Sequence, residues 1–272
     1  MINKLKYATI SDIGIFDIYF YDENKAEWLI DFCADNGITY LPSKDRKYVY
    51  ELKEGKFEKK ELKEELCVNP YDRIFDDEVI EKFGAVNHNE IRFIIENGLI
   101  KGVVHIIDYN SEFIQVELYR AIYKFETNLR ELLYLNGYNN DDFINWVQYK
   151  VETEKDKNSR NHWEKRLSEI KSEKAEIKRK EFKAFQTFYL NELLRFALNK
   201  GVISKEIVDV NQISNLRNQV AHSNDLTTYT KENDELIYNY QNLKKYVKQI
   251  NSFFTAYDYI NLKLEENNIN IL

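Results

Sequence analysis

Along the later part of the chain, apolar residues recur at steps of three and four. Over residues 111–134 the positions Ile114, Leu118, Ile122, Phe125, Leu129 and Leu132 form one stripe, which predicts a helix with a core-facing side. Residues 143–157 predict a second, shorter helix. The period then runs from 161 to 201, too long for one globular helix, so a break is expected between Lys171 and Lys180. Residues 209–223 predict the next helix, opened by a D-x-x-Q capping box (Asp209, Gln212) and carrying Ile213, Leu216 and Val220. A last helix is expected over 236–262, with Leu236, Tyr240, Leu243, Val247, Ile250, Phe254 and Tyr257 along one side. Together these predict a bundle of four or five helices.

The first 110 residues follow another rhythm. Residues 14–21 (GIFDIYFY) alternate apolar with other residues and predict a strand. Residues 25–35 carry Ala26, Leu29, Ile30 and Cys33 at helical spacing and stop at Asn36-Gly37. Residues 38–41 and 48–52 predict a hairpin through the polar turn 43–47. A second helix is expected over 76–83, then strands over 91–95 and 99–107 joined at Asn97-Gly98. This is a β-α-β-β plan used twice, in a compact α/β module. Six of the eight Gly and both Pro fall before residue 110, so a boundary is expected there. The expected class is α+β in two domains, 1–110 and 111–272.

Composition narrows the class further. Two Pro and eight Gly among 272 residues exclude a loop-rich sandwich and collagenous or low-complexity character. Twenty Tyr, 16 Phe and three Trp supply apolar area for a real core, which excludes global disorder. Cys33 and Cys67 are too few for a disulfide framework or a zinc cluster. No apolar run reaches the roughly 18–20 residues of a membrane span, and MINKLKYATISDIG lacks a signal-peptide core, so a cytoplasmic protein with no membrane partner is expected. The net charge of -7 speaks against nucleic acid until it is divided. Residues 1–110 hold 15 basic and 22 acidic side chains, whereas the remainder is balanced at 24 of each.

The histidines, His88, His105, His162 and His222, show no metal-ligand spacing, and no GxSxG, GxGxxG or P-loop occurs, so no metal site is expected. What remains is Arg217-Asn218-Gln219-Val220-Ala221-His222. Arginine is a permanently charged fork suited to phosphate, and histidine is the side-chain type that exchanges a proton near neutral pH. Five residues apart on a helix, the two lie about 140° off a shared face, whereas Asn218 and His222 share one. Two copies meeting across a two-fold axis would converge all three groups. The plainer alternative is a helix-end histidine beside a surface arginine.

LRNQVAH resembles the R-N-x-x-x-H form of the motif of the HEPN superfamily (higher eukaryotes and prokaryotes nucleotide-binding). Phe125-Glu126-Thr127-Asn128-Leu129-Arg130 resembles the F-E-x-x-L-R pattern in the first helix of Swt1-like and abortive-infection HEPN domains, and residues 187–203 match the apolar helix before the motif. The resemblance covers roughly 111–272 and implies an all-α HEPN helical bundle acting as a homodimeric, metal-independent endoribonuclease of toxin or phage-defence type. In such an enzyme the neighbouring 2′-hydroxyl of the RNA substrate is the nucleophile, a 2′,3′-cyclic phosphate is left, and no cofactor is required for cleavage. Carried over, His222 is the general acid or base, Arg217 binds the developing phosphate charge, Asn218 orients the site, and Glu126 holds Arg217 or Asn218. Asn224 stands where HEPN toxins paired with nucleotidyltransferase antitoxins carry a modifiable Tyr, a departure that bears on an antitoxin or defence partner. The alternatives are a non-catalytic HEPN nucleotide-binding module and a dimerisation or adaptor protein.

Two further stretches bear on ligands. Residues 150–183 hold 12 basic and 8 acidic side chains, densest at Lys178-Arg179-Lys180, which reads either as an RNA-attracting arm or as a solvated helical face laced with ion pairs. Residues 99–108 resemble the last strands of a CBS (cystathionine-β-synthase) motif. That likeness implies a small CBS-like α/β sensor module in which Gly102 and Asp108 contact an adenosine nucleotide, with His105 where Ser or Thr is usual. The alternative is a docking module that binds no nucleotide.

Overall fold

The computed structural model describes residues 4–84, 91–222, 229–232, 235–238 and 240–269. Among them are ten α-helices: α1 Ile10–Ile13, α2 Ala26–Asp35, α3 Asp77–Gly84, α4 Glu112–Leu135, α5 Asn140–Thr153, α6 Lys157–Ile170, α7 Glu173–Glu181, α8 Leu190–Asn199, α9 Val210–Ala221 and α10 Tyr240–Ile269. The strands are β1 Tyr40–Pro42, β2 Val49–Lys53, β3 Lys56–Lys60, β4 Cys67–Val68, β5 Arg92–Glu96, β6 Leu99–Val104, β7 Tyr229–Glu232 and β8 Glu235–Tyr238. The class is α+β, with small sheets in the N-terminal part and helices after them. By compactness the chain divides into residues 1–119 with 219–250, and residues 120–218 with 251–272.

The first unit holds two three-stranded sheets. β1, β2 and β3 form an antiparallel meander, and β5 pairs parallel with β4 and antiparallel with β6. Leu29 and Cys33 on α2 pack with Leu41 of β1, the apolar face that the helical spacing predicts. Val49, Phe93 and Ile100 make a second buried cluster. Arg92, with no exposed surface, donates to the Lys82 carbonyl from Nε and Nη2 at 3.0 and 2.6 Å. A buried guanidinium thus caps the last turn of α3, where a cation also meets the negative end of the helix dipole.

Two expectations for this unit need correction. Residues 14–21 do not form a strand: their ladder is a single bridge, Ile15 to Val103, and Ile15, Phe16 and Tyr19 are exposed. Alternation alone lacked a partner edge to pair with. The strand expected over 99–107 stops at Val104. There the Asp108 carboxylate accepts the His105 backbone N–H at 2.8 Å, and His105 Nδ1 accepts from Ile107 N–H at 3.2 Å, which opens a 3-10 turn over Ile106–Asn110. His88 and Asn224 lie outside the described residues.

The second unit has a core that follows the predicted stripes. Ile122, Phe125, Leu129 and Leu132 of α4 are buried, and Phe125 meets Phe253 of α10 edge-on at 5.3 Å. Phe143 of α5 stacks on Phe188 at 4.0 Å. Asn128 donates to Asn261 at 2.6 Å, which satisfies a buried amide inside the stripe. The long periodic stretch breaks twice, not once. Ser172 accepts from Ala175 N–H as the N-cap of α7 while its hydroxyl donates to the Glu169 carbonyl of α6. A second interruption follows Glu181, where Phe185 adopts φ 65°, a costly backbone for a non-glycine. Its buried ring and the bond from Phe185 N–H to Asn140 at 2.8 Å hold it there. The last helix, whose residues up to Ile250 count with the first unit, begins at Tyr240, not Leu236. Residues 229–232 and 235–238 pair as a hairpin, Tyr229 opposite Tyr238, because two short β-prone runs flank Asn233-Asp234 in the sequence. The predicted positions Leu243, Val247, Ile250, Phe254 and Tyr257 of α10 are buried.

Candidate functional site

Gly102 and Asp108 have local structural roles in the first unit. A Cβ on Gly102 would overlap the Ile15 carbonyl oxygen, so the glycine is what lets the 14–21 segment approach β6. Gly102→Ala is therefore expected to destabilise the first unit by about 1–3 kcal/mol, read as a fall in the urea midpoint. Burial pushes the Asp108 carboxyl up to about 6 from its ordinary 3.8, and the His105 N–H only partly opposes this. The folded protein therefore holds that proton at pH values where the unfolded chain has lost it, so stability falls as pH rises from 4 to 7. Asp108→Asn keeps an acceptor for His105 without the charge. It is expected to flatten that fall by about 1–3 kcal/mol in urea titrations across this range; an unchanged slope would contradict the assignment.

The second unit brings the two motif regions together. Glu126, on α4, accepts from Arg217 Nε of α9 at 3.4 Å and from Arg130 Nη2 at 3.1 Å. Arg130 in turn donates from Nε to the Phe185 carbonyl at 3.3 Å, so the strained turn helps fix the carboxylate. Glu126 is largely buried at 16% side-chain exposure while Arg217 keeps 41%, which places the carboxylate beneath and the guanidinium at the surface. Arg217 Nη1 meets Asn218 Oδ1 at 3.4 Å, and its Nη2 has no partner among the described residues. Bonds of 3.4 Å are weak, so the fork is oriented yet still available to an anion.

α9 owes its start to Asp209, which accepts from Asn211 and Gln212 N–H at 3.0 Å each. The Gln212 side chain donates to the Asp209 carboxylate at 2.8 Å, a variation on the predicted box. His222 follows the last residue of α9 and is exposed. Of the four residues expected to be catalytic, Arg217, Asn218 and Glu126 stand together, and His222 falls within the residues assigned to the first unit.

Arg217 and Asn218 line a cleft of about 530 Å³ with His162, Lys165, Arg166 and Ser214. Its wall is braced by Arg166, which grips Glu192 through Nε at 2.5 Å and Nη2 at 2.9 Å and lies 4.3 Å over the Tyr189 ring. Burial works against the Arg166 charge, but the Glu192 carboxylate outweighs it and raises the guanidinium above its ordinary value. Sequence reasoning missed this pair. Its trace is an acid in the first turn of α8, three residues after Tyr189, whose N–H it accepts at 3.1 Å. Lys178, Arg179 and Lys180 end α7, where cations suit the helix dipole. Arg179 donates to the Ile170 carbonyl and Lys180 pairs with Glu176 at 2.9 Å, which leaves Lys178 unpaired among the described residues. Among the described residues no three His, Cys, Asp or Glu side chains are grouped to hold a metal ion, and no helix is long and apolar enough to cross a membrane. Comparisons with protein-family models, curated proteins and solved structures found no match.

Proposed function

We propose that the chain is a metal-independent endoribonuclease of the HEPN kind, acting as a homodimer in a toxin or phage-defence setting. The observation that carries this reading is the contact of Glu126 with Arg217: two short sequence signatures, 91 residues apart, meet at one carboxylate beside an open cleft. A buried acid that orients an exposed arginine is what phosphate recognition needs, because the fork is aimed before the anion arrives. The scissile phosphate sits on Arg217. The neighbouring 2′-oxygen attacks phosphorus, its proton passes to a base, and the 5′-oxygen leaves with a proton from an acid, which closes a 2′,3′-cyclic phosphate. His222 supplies this proton transfer. Ideal helical spacing would set Arg217 and His222 about 140° apart, and His222 lies just past the end of α9, so a second copy of the chain supplies the convergence. Incubation of purified protein with RNA in EDTA tests the proposal. Products ending in a 2′,3′-cyclic phosphate are expected, and cleavage undiminished in His222→Ala would overturn it.

A further inference from the structure

A second cleft, of about 670 Å³, shares His162, Asn191 and Glu192 with the cleft that holds Arg217, so the two adjoin at these residues. Its lining combines aromatic rings with cations. Trp163 is half-buried and packed edge-on against buried Trp146 at 5.4 Å, which fixes its ring, and the exposed His162 ring stands 5.6 Å from it. The Nε1–H of Trp146 is buried without a hydrogen-bond partner, an unmatched donor on a residue that lines the cleft. Lys150 and Arg195 face the same space and have no carboxylate partner among the described residues. Arg195 is held in place by Asn191 at 2.8 Å. Glu154 opposes these cations, whereas Glu192 is neutralised by Arg166. Both volumes fall within the roughly 300–1,000 Å³ of ligand pockets.

We propose that this second cleft is a nucleobase subsite, which makes single-stranded RNA the substrate class of the Arg217 site; the inference rests on the ribonuclease reading above. An unpaired base stacks on the Trp163 and His162 rings, its phosphates lie towards Lys150 and Arg195, and the next phosphate along the strand reaches Arg217. Base stacking on aromatic side chains tolerates any sequence, and cations beside the rings track the backbone. A duplex cannot enter in this way, because its bases are stacked on one another and offer no free face.

The test measures binding separately from cleavage. A 2′-O-methyl oligonucleotide has no 2′-hydroxyl to attack, so its affinity is measured by fluorescence anisotropy without reaction. Wild type is expected to bind the single strand at least about tenfold more tightly than a duplex of the same length, and to lose tryptophan fluorescence on binding. Trp163→Leu is expected to weaken single-strand binding about tenfold. Trp163→Phe keeps a stacking face, and is expected to retain most of the affinity while losing most of the fluorescence change. Arg195→Gln lies at the surface of the cleft and covers the case in which Trp163→Leu does not fold; it is expected to weaken binding and reduce its salt dependence. Single-strand affinity unchanged in both Trp163→Leu and Arg195→Gln, or a duplex bound as tightly as the single strand, would overturn the subsite. If the subsite variants behave as expected while no RNA is cut, the subsite stands and the ribonuclease reading falls. If RNA is cut in an Arg217-dependent way while these variants bind normally, the reverse holds.

Discussion

Arg217→Ala is expected to lower the single-turnover rate of RNA cleavage in EDTA by about a hundredfold or more, with the circular dichroism and urea midpoint of the wild type. Removing one preorganised donor from a developing oxyanion costs on the order of 10²–10³ in rate, and Arg217 offers more than one. Its Nε is tied to Glu126 and its Nη1 touches Asn218, but Nη2 has no protein partner among the described residues. Arg217→Lys keeps the charge and loses the planar fork, so it should recover only part of the lost rate. His222→Ala removes the proposed proton-transfer group and is expected to cost about 10²–10⁴. The assay follows end-labelled RNA under enzyme excess, so that product release does not mask the chemical step. Rates equal to wild type for Arg217→Ala or for His222→Ala would remove that residue from the site.

The largest expected effect on stability comes from Arg166. Its bidentate grip on Glu192 is nearly closed off from water, with side-chain exposures of 11% and 8%. Truncation to Ala strands a buried carboxylate whose remaining hydrogen bond among the described residues is to the Tyr189 N–H, and is expected to cost about 3–5 kcal/mol. Glu192→Gln should cost less, because Arg166 also reaches Glu169 at 3.2 Å and keeps part of its compensation. Replacing both residues by Met of similar volume is expected to recover much of the loss, since a buried ion pair spends most of its Coulombic attraction on desolvation. Chemical denaturation of the two singles and the double in a mutant cycle measures this. A loss under about 1 kcal/mol for Arg166→Ala would mean that the cleft wall does not depend on the pair.

The helical stripes were legible because burial on one face of a helix leaves a period of 3.6 in the chain itself. Ile114, Leu118, Phe125 and Leu129, and later Leu243, Val247 and Ile250, are buried as that period requires. Strand pairing was less legible, for a reason visible at residues 14–21 and 229–238. A strand needs a partner edge, and the partner of Ile15 is Val103, far along the chain. Alternation at 14–21 met only one residue of that edge. The residues of 229–238 found each other across two positions and cut short the helix expected from Leu236. Local capping was also readable, but its consequences were not. Ser172 both ends α6 and opens α7, while the interruption at Phe185 has no Gly or Pro to announce it and depends on tertiary burial.

Read alone, the chain determined the α+β class, most helices and their buried faces, and the two short motifs that single out Glu126 and Arg217. Each of these depends on spacing within one element, which the order of residues records directly. Only the tertiary structure decided that Glu126 lies between Arg130 and Arg217, and that Arg166 and Glu192 brace a cleft shared with His162. Those are contacts between side chains far apart in sequence, or choices among several partners for one carboxylate. Packing selects among them by burial and charge compensation, which no local pattern encodes.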